Sequence, residues 1–111
     1  MSVKKLEVLK NTCQREFNPK ETMQWVNINP LWRMTWGATN FTTFQNKALF
    51  FNVSGFNHKG IVLITLDWND TYTITLVSTQ WNVKKVIKDV YCDELANVID
   101  VNVERISEYQ R

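Results

Sequence analysis

The sequence predicts an α+β domain: N-terminal helices, an antiparallel meander of about five strands, and a C-terminal helix packed on one face of the sheet. Three observations predict it. Near both ends of the chain apolar residues recur at three- and four-residue steps. Between them the period falls to two, in runs rich in threonine, β-branched and aromatic residues. The breaks between those runs are turn formers, and helices followed by strands followed by a helix describe an α+β layer arrangement. At 111 residues the whole of 1–111 is expected to form a single domain. A chain of that length buries roughly 65% of the surface its unfolded form exposes, which suffices for a core without staples.

The first helix is expected over residues 3–16, where Val3, Leu6, Leu9 and Cys13 make an apolar stripe with Lys4, Lys5, Glu7 and Lys10 between them. Asn18, Pro19 and Glu21 then carry the start signals of a second, shorter helix: a capping side chain, a proline at the first position and an acid in the first turn. Pro30 is expected to close it, because the residue before a proline is pushed out of the α region. In "RMTWGATNFTTF" the aromatic and threonine content suits a strand, with Gly37 at a bulge or close approach. "QNK" reads as a turn, "ALFFNV" as a strand apolar on nearly both sides, and "SGFNHKG" as a loop.

In "LITLDWNDTYTITLV" two alternating runs flank Asp67, Trp68, Asn69 and Asp70, which is the pattern of a hairpin. "QWNVKKVI" follows as the last strand, its lysines marking a sheet edge. Asp89 is expected to cap the final helix. Tyr91, Leu95, Val98, Ile99 and Ile106 would form its apolar stripe, flanked by Val90 and Val103, with Asp93, Glu94, Asp100 and Glu104 on the other face. The helices are expected on one face of the sheet.

Composition narrows the function classes. Hydrophobic content of 44%, charged content of 22% and a net charge of +2 describe a globular domain without the strongly basic balance of a dedicated duplex-DNA binder. The charged N-terminus has no apolar core of a signal peptide, and no run approaches the roughly 20 apolar residues of a membrane span. A cytoplasmic protein without membrane association is expected. Cys13 and Cys92 stand far apart in sequence without a CxxC spacing and read as free thiols, with a disulfide between them as the alternative.

The segments "MTWGATNF", "ALFFNVSG", "ITLDWNDTYTI" and "VYCDEL" follow one another in an order that resembles a group of small proteins of uncharacterised function encoded by bacteriophages, prophages and other mobile elements. The resemblance covers roughly residues 31–100. It is most specific in the Gly-Ala-x-Asn-Phe, D-x-Y-x-I and V-Y-x-D-x-L pieces. The chain departs from the group in its ending, "VNVERISEYQR", which lacks a threonine-glycine-leucine close, and in its longer charged N-terminal helix. The resemblance implies a phage or prophage setting in a bacterial host cell and supplies no catalytic residues.

No catalytic, cofactor or metal site is expected. Counted from Asp67 as a calcium loop, the sixth and twelfth positions hold Tyr72 and Ser78 rather than glycine and glutamate. Asp67 and Asp70, at a hairpin tip, are not expected to sit in the cleft that acid–base work needs. His58, the only histidine, reads as a solvated loop residue, and Cys92 as a structural thiol without a basic partner. Three glycines are too few for a phosphate-cradling loop.

Five tryptophans are a surplus for a core of this size. Trp25 and Trp36 are expected inside. Trp32, Trp68 and Trp81, beside turns and strand ends, are the candidate binding surface, together with Lys84, Lys85 and Lys88. These features predict a non-enzymatic protein that binds a host or phage protein or itself. Weak nucleic-acid binding through stacking tryptophans and lysines is the alternative, favoured if the lysines of the first helix meet those of the last strand.

Overall fold

The computed structural model describes residues 3–28, 34–55 and 57–103. It contains α1 (Val3–Thr12), α2 (Pro19–Val26), β1 (Thr39–Phe44), β2 (Ala48–Ser54), β3 (Lys59–Leu66), β4 (Tyr72–Val77), β5 (Val83–Val90), a 3-10 turn (Cys92–Glu94) and α3 (Leu95–Val103). The five strands form one antiparallel sheet in the order β1-β2-β3-β4-β5, the expected α+β meander.

The turns are built as their residues dictate. Gln45 and Asn46 both take positive φ, and the Lys47 N–H bonds the Phe44 carbonyl at 2.8 Å, closing the β1–β2 hairpin. At the next hairpin the Asp70 N–H bonds the Asp67 carbonyl at 3.0 Å, with Asp70 at φ +65°. The "DWND" segment is therefore the turn that its residues predict. Asn18 caps α2 by accepting the Lys20 N–H at 3.0 Å, with Pro19 in the first turn. The expected stop at Pro30 lies outside the described residues.

Three boundaries differ from expectation, each for a local reason. α1 ends at Thr12, not at residue 16: the Thr12 hydroxyl bonds back to the Val8 carbonyl, and Gln14 and Arg15 turn to the β3–β4 hairpin instead. β1 begins at Thr39, because Met34 and Thr35 are helical and Gly37, at φ +62°, bonds the Met34 carbonyl. The bulge of β1 falls at Asn40 (φ +58°), not at Gly37. Asp89 does not cap the last helix. It bends the end of β5 at φ +59°, and the Tyr91 N–H is taken by the Glu94 carboxylate.

β3 and β4 are buried almost throughout on both faces, so the sheet needs cover on both sides. The helices therefore divide, rather than sharing one face. α2 and α3 close a core of Trp36, Leu49, Phe51, Val62, Ile64, Ile74, Leu95, Ile99 and Val103. α1 covers the opposite face, with Leu9 on Ala48, Phe50, Ile61, Leu63, Val77 and Trp81. Cys13 packs with the α1 layer and Cys92 with the other, and both are free thiols on opposite sides of the sheet.

The α3 layer is pinned by polar contacts. Asp100, expected on the solvent side, is buried and accepts the Trp36 indole N–H at 3.0 Å. Trp36 stacks on Phe51, and its carbonyl takes the Ser54 N–H at 2.7 Å. At the far end of α3 the Val103 carbonyl receives the N–H groups of Asn57 and His58. Gly55 lies beneath it, where an added Cβ would stand 2.3 Å from that carbonyl oxygen. Tyr91, expected in the α3 stripe, is 61% exposed, because it precedes the helix and leads the chain out of β5. Glu104 and Ile106 lie outside the described residues. Trp36→Phe removes the N–H from Asp100 and is expected to cost about 1.5–3 kcal/mol in chemical denaturation, the range for a hydrogen bond to a carboxylate.

Candidate functional site

α1 has ten residues and cannot cover five strands. Along its face the sheet changes character. Ile61, Leu63 and Val77 lie in the layer that includes Leu9. Continuing the same alternation toward the β3–β4 turn, the positions become Thr65, Thr73, Thr75 and Asp67, all buried. Thr65 and Thr73 are register partners, and Thr75 opposes Val86 of β5.

Between this row and the last turn of α1 runs a cleft of about 250 Å³. Asp67, Thr73 and Thr75 line its floor, Asn11 and Gln14 one wall, and Val83, Val86 and Lys88 of β5 the other. Thr73 donates its hydroxyl to Asp67 Oδ2 at 2.6 Å. Asp67 Oδ1 and the hydroxyl oxygens of Thr65 and Thr75 are buried without a hydrogen-bond partner. Val83 and Val86 are about half exposed, so the β5 wall is open and apolar.

At the mouth of the cleft stands Trp68, 72% exposed. Its backbone N–H is taken by the Gln14 side chain, and the Arg15 guanidinium lies 5.8 Å from its ring while pairing with Asp70 at 2.5 Å. The post-helical residues of α1 thus fix the hairpin tip, and an exposed tryptophan is held against an arginine face.

Of the expected surface, Trp68 is presented and Trp81 is not. Trp81 is 6% exposed, edge-on to Phe50 at 5.3 Å, because its positive φ in the 78–82 turn directs the ring beneath α1. Trp32 lies outside the described residues. Lys84, Lys85 and Lys88 are exposed but divided: Lys85 reaches over to Asn102 of α3, while Lys88 faces the cleft. From α1, Lys4 bonds Asn82 and Lys5 sits over Phe50 and Trp81. The α1 lysines thus reach the 78–82 turn, while Lys85 and Lys88 of β5 point to opposite faces of the sheet.

His58 also departs from expectation. It is buried, and its Nε2 lies 3.1 Å from the Ile61 carbonyl. Burial pushes its pKa below the ordinary 6.5. The carbonyls of Ile61 and Val77 act in the opposite sense, and Lys84 adds to the lowering. Burial raises the Cys13 thiol in the same way, against a smaller opposing effect of Lys47. Among the described residues no three His, Cys, Asp or Glu side chains gather as a metal site, and no helix is long and apolar enough to cross a membrane.

Comparison with family models, with curated proteins and with solved structures gives no match to this chain. Besides Trp68, the sequence signal for the site was the threonine row: threonines at 65, 73 and 75 alternate with apolar residues across a hairpin whose register the turn fixes.

The folded state binds fewer protons at His58 than the unfolded chain once pH falls below about 6.5, so its stability drops with falling pH there. Urea denaturation of wild type and His58→Gln at about pH 8 and about pH 5 is expected to show the larger acid loss in wild type. Parallel losses would mean that His58 is not the titrating group.

Proposed function

We propose that this chain is a non-enzymatic binding protein of a phage or mobile element, acting in the bacterial cytoplasm on a host or phage protein partner. The observation that carries the reading is Trp68, a large apolar ring 72% exposed and pre-set by Gln14 and Arg15. Tryptophan and arginine dominate the energetics of protein interfaces, and a side chain already fixed loses little entropy on binding. Beside it the open strand β5 offers Val83 and Val86 with lysines at its rim. A second copy fits this edge poorly, since β5 pairing with itself would bring Lys84, Lys85 and Lys88 of both copies together. The segments resembling phage proteins support the setting.

The exposed tryptophan beside an arginine also favours a second reading, stacking on single-stranded nucleic acid. Titration of tryptophan emission with single- and double-stranded nucleic acid separates the two. The protein-partner reading expects a flat response at low and moderate salt. Quenching that weakens as salt rises, and that is lost in Lys84→Glu with Lys85→Glu, would favour the nucleic-acid reading. On host extract, Trp68→Ala is expected to leave stability within about 0.5 kcal/mol and to weaken capture of the partner by about 2 kcal/mol or more. Equal capture by wild type and variant would remove Trp68 from the interface.

A further inference from the structure

The sheet order leaves β1 and β5 as the two edges of the sheet, and β5 is the one with a charge pattern. We infer that its free edge takes an acidic, extended segment of the protein partner as a sixth strand, a reading that rests on the protein-partner function proposed above.

An edge strand presents a row of unpaired N–H and C=O groups, and the register tells which residues of β5 carry them. The Ser78 N–H bonds the Asn82 carbonyl at 2.9 Å, so Ser78 turns its backbone toward β5, and by alternation Leu76 and Ile74 do the same. Their register partners, Lys85 and Ile87, therefore face β4. Val86, between them, directs its N–H and C=O away from the sheet. Register shifts flank this stretch on both sides, so the pairing surface is short and centred on Val86.

The side chains set the chemistry of the incoming strand. Residues 83–88 hold three lysines and no acid. Lys84, Lys85 and Lys88 are exposed, and none joins an ion pair among the described residues. The charges stand on both faces of one strand: Lys88 lines the cleft on the α1 side, and Lys85 reaches Asn102 on the α3 side. Successive side chains of an extended segment also point to opposite faces. A segment paired at Val86 places its residues one step away beside Lys85 and those two steps away beside Lys88, so acids at both spacings meet a lysine. The residue opposite Val86 itself meets the half-exposed Val83 and Val86, which favours an apolar side chain there.

Other occupants fit less well. An acidic helix engages one face of the edge and satisfies none of its backbone groups. The phosphodiester backbone of a nucleic acid brings acceptors for the lysines but no donor for the Val86 carbonyl. A peptide strand supplies donor, acceptor and alternating acids together. The β1 edge is the internal contrast: "TNFTTF" carries no charge, and its register breaks between Thr39 and Thr42.

The test is titration of the isotope-labelled chain with acetyl-Glu-Glu-Val-Glu-Glu-amide, read by backbone amide shifts and hydrogen exchange. In the free chain the Val86 N–H is expected to exchange rapidly while those of Lys85 and Ile87 are protected. On binding, Val86 becomes protected and the shifts concentrate at residues 84–88, with Thr42 to Phe44 of β1 unmoved. Replacing the four glutamates of the peptide by lysine is expected to abolish binding. N-methylation of its central valine keeps every charge but removes the donor to the Val86 carbonyl, and is expected to weaken binding at least about fivefold. Val86→Pro removes the outward N–H and leaves the β4 ladder intact, with a similar loss expected. The N-methylated peptide decides the matter if that variant unfolds.

No binding by the acidic peptide, equal binding by its N-methylated form, or a Val86 N–H already protected in the free chain would overturn the inference. So would a single-stranded oligothymidylate that binds where the peptide does not. The two readings fail separately. A silent peptide with capture still lost in Trp68→Ala removes the sixth strand and keeps the Trp68 interface; a bound peptide with capture unchanged in Trp68→Ala does the reverse.

Discussion

Two central strands that are buried on both faces impose the architecture. β3 and β4 present Val62, Ile64, Ile74 and Leu76 to one side and Ile61, Leu63 and Val77 to the other, so neither side tolerates water. Among the described residues the demand is met by three short helices, α1, α2 and α3. Two cover one face, where Trp36, Phe51 and the Asp100 carboxylate lock α3 in place. One covers the other, and it is too small for the area. The unequal division accounts for the polar cleft, the half-exposed valines of β5 and the hairpin tip that the end of α1 must reach across to hold.

Away from Leu9 the α1 face of the sheet does not stay apolar. Around Leu9 the side chains are isoleucine, leucine and valine; toward the β3–β4 turn the same rows hold Thr65, Thr73, Thr75 and Asp67, which are still buried. Threonine keeps the β-branched shape that a strand favours while exchanging a methyl for a hydroxyl. The strand is preserved and the surface chemistry changes, which turns incomplete cover into a lined cleft with a fixed aromatic at its mouth.

Local features were legible in the sequence because local chemistry decides them. The Asn18–Pro19 helix start, the turns at 45–47 and 67–70 and the alternation of β3 and β4 all depend on near neighbours in the chain. What was not legible depends on distant placement. Nothing near Leu9 tells which face of the sheet it will cover. Asp100 looks like a solvent-side acid until Trp36, 64 positions earlier, brings an indole N–H to it. His58 looks solvated until β3 and β4 close around it, and Trp81 looks exposed until α1 lies over it. The threonine row was visible as a pattern, but its meaning required knowing where α1 stops.

The central claim is that α1 is docked as the second cover of the sheet and thereby walls the cleft. Leu9, fully buried beneath it, is the residue on which that docking rests. Equilibrium urea unfolding of Leu9→Ala tests the claim most directly. A loss of about 2–5 kcal/mol in one cooperative transition is the result that the account predicts. A change within about 0.5 kcal/mol would contradict it, for it would mean that the helix does not cover that face and that the cleft has no inner wall.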